Sequence, residues 1–134
     1  MNRDFTLHLQ SAARYERIAG LVSFVGEDAS GSFGLLPGHA PFLTLLEYGL
    51  ARFRQATGPW RYLACPGAVL WFTDDELFLN TRRYLIDEDY GRISGLLEGQ
   101  LAEEEAALKS VKDNLQRLEQ ELFRRLRGLE AGRT

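Results

Sequence analysis

Several residue types are scarce in this chain, and each scarcity excludes a class of protein. The single cysteine among 134 residues, Cys65, excludes a disulfide framework and every zinc site built from several cysteines. Two histidines, His8 and His39, leave little room for a histidine-rich metal centre. No apolar run approaches the roughly 18 residues of a membrane-spanning helix. The sequence also lacks the basic stretch followed by an apolar run that would predict a secretory signal. The net charge of -3 argues against binding the phosphates of nucleic acids.

Proline is confined to the first half of the chain, and its distribution indicates two modules. All four prolines lie at or before residue 66, and proline is excluded from regular helix interiors. Residues 85–134 carry 11 acidic against 8 basic side chains and therefore hold the whole net charge. The sequence predicts a boundary near residues 85–87, with a β-rich domain at residues 1–85 and a helical domain at residues 86–134.

Short runs in the first module predict an antiparallel β-sandwich or barrel. In Phe5–Gln10 apolar and polar residues alternate, as is typical of a half-buried strand. Further strand candidates are Leu21–Val25, Leu50–Arg54, Trp60–Ala64, Val69–Phe72 and Leu77–Leu79. Turn residues at Ala56–Pro59 and Asp74–Glu76 predict two hairpins between these strands.

The second module has the period of a helix. Leucines recur every seven residues, at Leu101, Leu108, Leu115, Leu122 and Leu129. Such an apolar stripe is typical of the core between two helices. One helix of about 40 residues would be about 60 Å long, so the sequence predicts an antiparallel two-helix hairpin. The break is predicted at Ser110–Asn114, with Glu98–Gln100 as the alternative.

The residues that could carry chemistry have simpler structural interpretations. The glycine-rich segment Gly26–Gly34 lacks the Gly-Lys-Ser/Thr ending of a phosphate loop, so it predicts a tight turn. Asp74–Glu76 predicts a solvated hairpin turn rather than a metal site. Cys65 has no matching histidine pattern and predicts a small packed thiol. His8 alternates with apolar residues, which predicts a surface position on a strand.

His39 is the one histidine in a segment with several turn residues. Pro37-Gly38 sets a turn before it, and Pro41 restricts the backbone of the residue ahead of it. An isolated histidine here could serve a small enzyme, but no serine, cysteine or carboxylate is spaced to assist it. The sequence favours a histidine whose ring nitrogens hold a buried loop together.

The segment Gly31–Thr44, which reads GSFGLLPGHAPFLT, closely resembles the signature of the epsilon subunit of F-type ATP synthase, called delta in mitochondria. Gly49–Phe53, Gly67–Leu70 and Leu77–Leu79 are also similar to segments of that family. The order of the modules, β-rich first and helical second, matches too. The resemblance therefore covers nearly the whole chain.

This resemblance implies a rotor subunit of the central stalk that has no active site or cofactor. In the family, a β-sandwich of about ten strands docks on the gamma subunit and on the polar loops of the membrane rotor ring, and helps couple ion flow to ATP synthesis. The C-terminal helices fold against the sandwich, or extend along gamma towards the alpha and beta subunits and restrain ATP hydrolysis. The resemblance also implies a peripheral position at the cytoplasmic face of a bacterial plasma membrane.

Contact residues are implied only where the motifs match. Gly31, Ser32 and Phe33 align with the loop that faces the rotor ring, although many members carry an acidic residue in place of Ser32. His39 and Phe42 align with a region that either faces gamma or braces the loop.

A basic group near the end of the helical module has two interpretations. Arg124, Arg125 and Arg127 resemble the positions that meet an acidic loop of the beta subunit in the inhibitory state. They are equally compatible with a solvated helix end, where cations complement the helix dipole.

The chain departs from the family at the motif with which some bacterial members bind ATP. That motif reads Ile/Leu-Asp-x-x-Arg-Ala, and Ile86-Asp87 begins it correctly, but Tyr90-Gly91 replaces Arg-Ala. Arg92 lies two positions late, a rotation of about 200° on a helix. The sequence therefore predicts no ATP binding. An ATP-sensing module of the same fold, and an enzyme that uses His39, remain the alternatives.

Overall fold

The computed structural model describes residues 3–131, with the backbone alone at residues 105, 130 and 131. Within this range the chain forms nine strands followed by one helix. The strands are β1 (Phe5–Gln10), β2 (Tyr15–Asp28), β3 (Gly31–Leu35), β4 (Phe42–Leu46), β5 (Gly49–Gln55), β6 (Arg61–Cys65), β7 (Ala68–Thr73), β8 (Glu76–Asn80) and β9 (Leu85–Asp87). The helix α1 spans Tyr90–Ala131. The predicted β-sandwich followed by a helical region is confirmed, with nine strands described where about ten were expected.

The strands form one hydrogen-bonded sheet in the order β4-β7-β8-β1-β2-β5-β6-β9, and β3 pairs with β2. All pairings are antiparallel except that of β1 with β8. Both predicted hairpins are confirmed. β5 pairs with β6 from Gly49–Cys65 to Phe53–Arg61, and β7 pairs with β8 around a turn in which Asp74 and Asp75 both have positive φ.

All nine strands contribute to one apolar core. Four phenylalanines, Phe5, Phe24, Phe53 and Phe72, are completely buried, and the rings of Phe5 and Phe72 meet edge to face at 5.4 Å. Burying each such side chain contributes about 1.5–3 kcal/mol. Because strands from opposite ends of the order share this core, the sheet folds over on itself, as a sandwich requires.

The helix differs from the predicted hairpin. α1 continues without interruption through both predicted breaks, Ser110–Asn114 and Glu98–Gln100. No proline follows residue 66, and an isolated glycine such as Gly99 costs a helix only about 1 kcal/mol. The other residues around the two predicted breaks are mostly strong helix formers, so nothing in the local sequence ends the helix.

The chain divides into two compact units, residues 1–97 and 98–134. This division lies later than the change in composition at residues 85–86. In the first unit, β9 pairs with β6, Ile93 of α1 is completely buried, and the Tyr48 hydroxyl lies 3.4 Å from the Leu97 carbonyl. The first two turns of α1 therefore belong to the β domain.

Candidate partner-docking surfaces

The outer side of β4 and β7 carries an exposed apolar surface, which we call the docking face: Leu43, Leu45, Val69 and Trp71. Leu43 lies directly opposite Trp71, and Leu45 lies opposite Val69, so the four side chains form one cross-strand block. The two leucines are 69% and 67% exposed, and half of Trp71 is exposed. Large contiguous apolar patches of this kind typically mark interaction sites.

Sequence reasoning missed the docking face, although a signal was present. β4 and β7 contain the runs Phe42–Leu46, which is apolar except for Thr44, and Val69–Phe72, in which every residue is apolar. Successive residues of a strand point to opposite faces, so such a run makes both faces apolar. One face of each strand enters the core, with Phe42 opposite Phe72, and the other face remains exposed.

The ring-facing candidates lie in the β2–β3 hairpin. Gly31 begins β3 with a φ of 119°, which favours glycine, and Ser32 is exposed opposite Glu27. Phe33 is half-buried and packs against the core. The Asp28 carboxylate accepts hydrogen bonds from the hydroxyl and N–H of Ser30 at the turn. The predicted tight turn is confirmed, and its exposed surface consists of the hairpin end rather than of Phe33.

His39 and Phe42 belong to an aromatic cluster beside this hairpin. The His39 ring lies 5.8 Å from Phe42 and 5.9 Å from Phe72, and Phe42 lies 5.1 Å from Phe33. His39 Nδ1 is 2.7 Å from the Ala40 carbonyl oxygen. His39 is exposed, so the loop is not buried as expected, and a bracing role for its ring stays a prediction.

A carboxylate from a distant turn holds the loop that carries His39. Asp75 accepts hydrogen bonds from the Gly38 N–H at 2.6 Å and from the Arg3 guanidinium at 3.0 Å. The Gly38 N–H, followed by Arg3, lowers the pKa of the Asp75 carboxyl. Gly38 has a φ of 82°, which favours glycine, whereas a Cβ there would displace only the flexible end of the Arg3 side chain. Asp75 is therefore more than part of a solvated turn.

The prediction for His8 is also wrong, whereas the prediction for Cys65 is confirmed. Only 13% of the His8 side chain is exposed, because its ring stacks on Phe78 at 4.7 Å and on Tyr15 at 6.0 Å. Cys65 is buried in the core, and burial raises the pKa of its thiol.

The start of α1 is occupied by its own side chains. The Asp87 carboxylate accepts hydrogen bonds from Arg92 Nε and Nη2 at 2.5 and 2.6 Å. Asp89 caps the helix by accepting the Arg92 N–H at 3.0 Å. The Arg92 guanidinium, followed by the Asp89 N–H, lowers the pKa of Asp87 to about 2. The Asp87 carboxylate of the ATP motif and the Arg92 guanidinium beside it thus bind each other.

Replacing Asp87 with asparagine is expected to change how stability depends on pH. The pKa of Asp87 falls from its ordinary 3.8 to about 2 on folding, so its stabilising effect is complete above about pH 4 and is lost as pH falls through 2. Urea unfolding across this range should show the wild type losing its advantage over Asp87→Asn. Asp113→Asn, which removes an exposed helix carboxylate, is the control. A constant difference between wild type and Asp87→Asn at every pH would contradict the assignment.

In the second unit, α1 presents its leucine stripe to solvent. Leu108, Leu115, Leu122 and Leu129 are each more than half exposed. The predicted heptad pattern is present, but no residue among those described covers it. Such a stripe is suited to pack against another helix.

The basic residues near the helix end are arranged around one carboxylate. Glu121 Oε1 lies 2.7 Å from Arg124 Nη2 and 3.3 Å from Arg125 Nε. Both guanidiniums are 76% exposed, so these ion pairs are weak and an external carboxylate can compete with them. Arg127 is exposed two positions after Arg125.

Residues 3–131 contain no cluster of three or more potential metal ligands. In the same range no helix is both long enough and apolar enough to cross a membrane.

Comparison with known proteins gives a consistent result. Residues 8–83, more than half of the chain, match the family model of the ATP synthase delta/epsilon chain beta-sandwich domain. The ATP synthase epsilon chain 2 of Cereibacter sphaeroides is 39% identical over 108 residues, which cover 80% of this chain and 74% of that protein. The ATP synthase epsilon chain 2 of Paraburkholderia xenovorans is 46% identical over 50 residues, 37% of this chain and 36% of that protein.

Two solved structures share the fold at low sequence identity. A chain of the Euglena gracilis mitochondrial ATP synthase aligns with a TM-score of 0.59 and 17% identity, covering 76% of this chain and 66% of that one. A chain of the Tetrahymena thermophila mitochondrial ATP synthase central stalk and c-ring aligns with a TM-score of 0.52 and 11% identity, covering 63% and 69%.

Proposed function

The chain belongs to the family of ATP synthase delta/epsilon chains, and we propose that it is the non-catalytic epsilon subunit of the central stalk. Its role is then mechanical. The β domain mounts the subunit on the rotor and helps couple ion flow to ATP synthesis. This role requires a rigid body with specific docking surfaces, and a sheet whose strands share one core supplies that rigidity.

The docking face is the observation that carries the proposal. We assign it to the gamma subunit because its leucines, valine and tryptophan lie on a paired strand unit and would be fixed before binding. Preorganised apolar surface loses little conformational entropy on association. Tryptophan is also enriched at the centre of protein interfaces.

The exposed end of the β2–β3 hairpin is assigned to the polar loops of the rotor ring. Gly31 and Ser32 lie at this end, and Glu27 lies opposite Ser32 in the hairpin. Because Ser32 is uncharged, Glu27 and Asp28, which lie opposite Ser32 and Gly31, supply the negative charge beside the contact. The proposed roles of Phe33, His39 and Phe42 are to hold the hairpin and the adjoining loop in place, since their rings contact one another.

The C-terminal helix is assigned a regulatory role. Its exposed leucine stripe supports packing along a partner helix, and Arg124, Arg125 and Arg127 support contact with acidic side chains of the beta subunit. We place the assembled subunit peripherally at the cytoplasmic face of a bacterial plasma membrane.

Binding to gamma tests the proposal directly. Purified chain and purified gamma subunit of the same enzyme are expected to elute together from a size-exclusion column at equal stoichiometry. Separate elution, with the chain folded by circular dichroism, would contradict the proposal.

The chain is expected not to bind ATP. Asp87 and Arg92 pair with each other, and Tyr90 stands where the motif has arginine, so a phosphate would have to displace an ion pair and approach Asp89. Isothermal titration of the isolated chain should give no saturable heat with Mg-ATP up to about 1 mM. A micromolar dissociation constant would overturn this expectation and favour the ATP-sensing alternative. ADP serves as the control for nonspecific heat.

A further inference from the structure

The β5–β6 hairpin carries a basic and aromatic cluster that the stalk function does not use. Arg52 and Arg54 lie over the Trp60 ring at 4.8 and 5.3 Å, and Arg61 lies over Phe53 at 5.3 Å. Among the described residues, none of these three guanidiniums has a carboxylate within ion-pair distance. Stacking on an aromatic ring holds a guanidinium flat and leaves its N–H groups available at the edge.

A groove of about 400 Å³ is lined by the β2–β3 hairpin, β5, Tyr62 and the first turns of α1, and Arg52 is the member of the cluster that lines it. Arg52 lies directly opposite Tyr62, whose ring meets Tyr90 at 5.3 Å. Leu97 completes the apolar wall, and the groove adjoins the proposed ring contact, because Glu27 and Ser32 also line it. The groove therefore offers an apolar wall beside a cluster of unpaired cations.

We propose that this groove binds an acidic, partly apolar peptide segment of another protein. An apolar side chain of the segment packs against Tyr62, Tyr90 and Leu97, while neighbouring carboxylates pair with Arg52 and Arg54. Glu27 sets the direction, because it repels a carboxylate placed away from the arginines. Planar guanidiniums bind carboxylates in a bidentate manner, which gives the contact both charge and geometric specificity.

A peptide fits these observations better than an anionic membrane. Residues 85–134 hold the whole net charge of -3, so a negatively charged surface would repel that part of the chain. A peptide needs complementarity only within the groove, because charges beyond about 8 Å are screened at physiological salt. The site is also concave, which suits a side chain rather than a flat surface.

The test uses the full chain with Trp71→Phe, which leaves Trp60 as the sole tryptophan. The probe is an acetylated, amidated hexapeptide of alternating leucine and glutamate, and its lysine counterpart is the charge control. The glutamate peptide should change Trp60 fluorescence saturably and shift the backbone amide signals of Tyr62 and Tyr90. Arg52→Gln with Arg54→Gln should weaken binding roughly tenfold through loss of two charge-assisted contacts. Arg17→Gln, at an exposed arginine on β2, should leave binding unchanged.

Four results would each overturn the proposal. The first two are equal affinity for the lysine peptide and the glutamate peptide, and unchanged affinity in the double glutamine variant. The third is no saturable change in Trp60 fluorescence up to about 1 mM glutamate peptide. The fourth is a change in Trp60 fluorescence with phosphatidylglycerol vesicles but not with the peptide. The experiment needs no other subunit, so its outcome is independent of whether the chain binds gamma.

Discussion

Replacing Trp71 with aspartate is expected to weaken strongly the association of the chain with the gamma subunit. The tryptophan occupies the docking face between Leu43 across the strand pair and Phe78, whose ring lies 5.6 Å away. A charge at this position would be buried in the complex without a partner, and the apolar contact area would be lost at the same time. Hot-spot losses of this kind exceed about 2 kcal/mol, so affinity should fall roughly 30-fold or more.

Stability should change little in the same variant. Half of the Trp71 side chain is already exposed, and it lies on the side of β7 opposite the core. Surface substitutions usually change the free energy of unfolding by about 0.5 kcal/mol, to which the partial contact with Phe78 adds. Urea unfolding of the isolated chain and size-exclusion binding to gamma would separate the two effects.

Two further variants sharpen this prediction. Leu43→Asp introduces the same charge directly opposite Trp71 and should give a similar loss. Ala56→Asp places an aspartate in the exposed β5–β6 turn, away from β4 and β7, and should bind gamma normally. Normal binding by Trp71→Asp and Leu43→Asp would show that gamma uses another surface.

Ending the chain after Leu97 is expected to raise ATP hydrolysis by the assembled enzyme while leaving the β domain in place. The removed residues carry the exposed leucine stripe and the three arginines, which are the proposed inhibitory contacts. A rise of roughly threefold or more corresponds to release of an inhibited population of about two thirds. Hydrolysis by the reconstituted complex, with the full and shortened chains, measures it.

The point of truncation matters for this experiment. Ending the chain after Asp87 also removes Ile93, which is completely buried, and the Tyr48–Leu97 hydrogen bond. Deleting a buried isoleucine side chain typically costs about 2–5 kcal/mol, so that fragment should be markedly less stable. Unchanged hydrolysis with the Leu97 truncation, at normal incorporation of the subunit, would exclude an inhibitory arm. Replacing Arg124, Arg125 and Arg127 with glutamine should reproduce part of the rise in ATP hydrolysis.

Much of the β domain could be predicted from local sequence because strands and tight turns depend on neighbouring residues. The alternation in β1 matches its inward and outward side chains, and the turn residues before Trp60 and after Thr73 end their strands as expected. The resemblance carried by Gly31–Thr44 identified the family, since its turn and loop residues stand in a distinctive order.

The helix shows where local reasoning stops. Whether α1 turns back near Ser110 depends on whether its leucines find a partner, and that partner is not specified by the helix sequence. His8 illustrates the same limit, because only the pairing of β1 with β2 and β8 brings Tyr15 and Phe78 to its ring.

The sequence by itself determined the β-then-helix order, the hairpins and the family of this protein, because these depend on residue pattern and short-range backbone preference. Only the tertiary structure decided which apolar side chains remain outside the core. The runs in β4 and β7 carry apolar residues on both faces, and the way the sheet folds decides which face is covered by the other strands. It also brought Asp75 to Gly38 and Arg52 to the groove at Tyr90, since contacts across distant residues form only when the sheet folds over on itself.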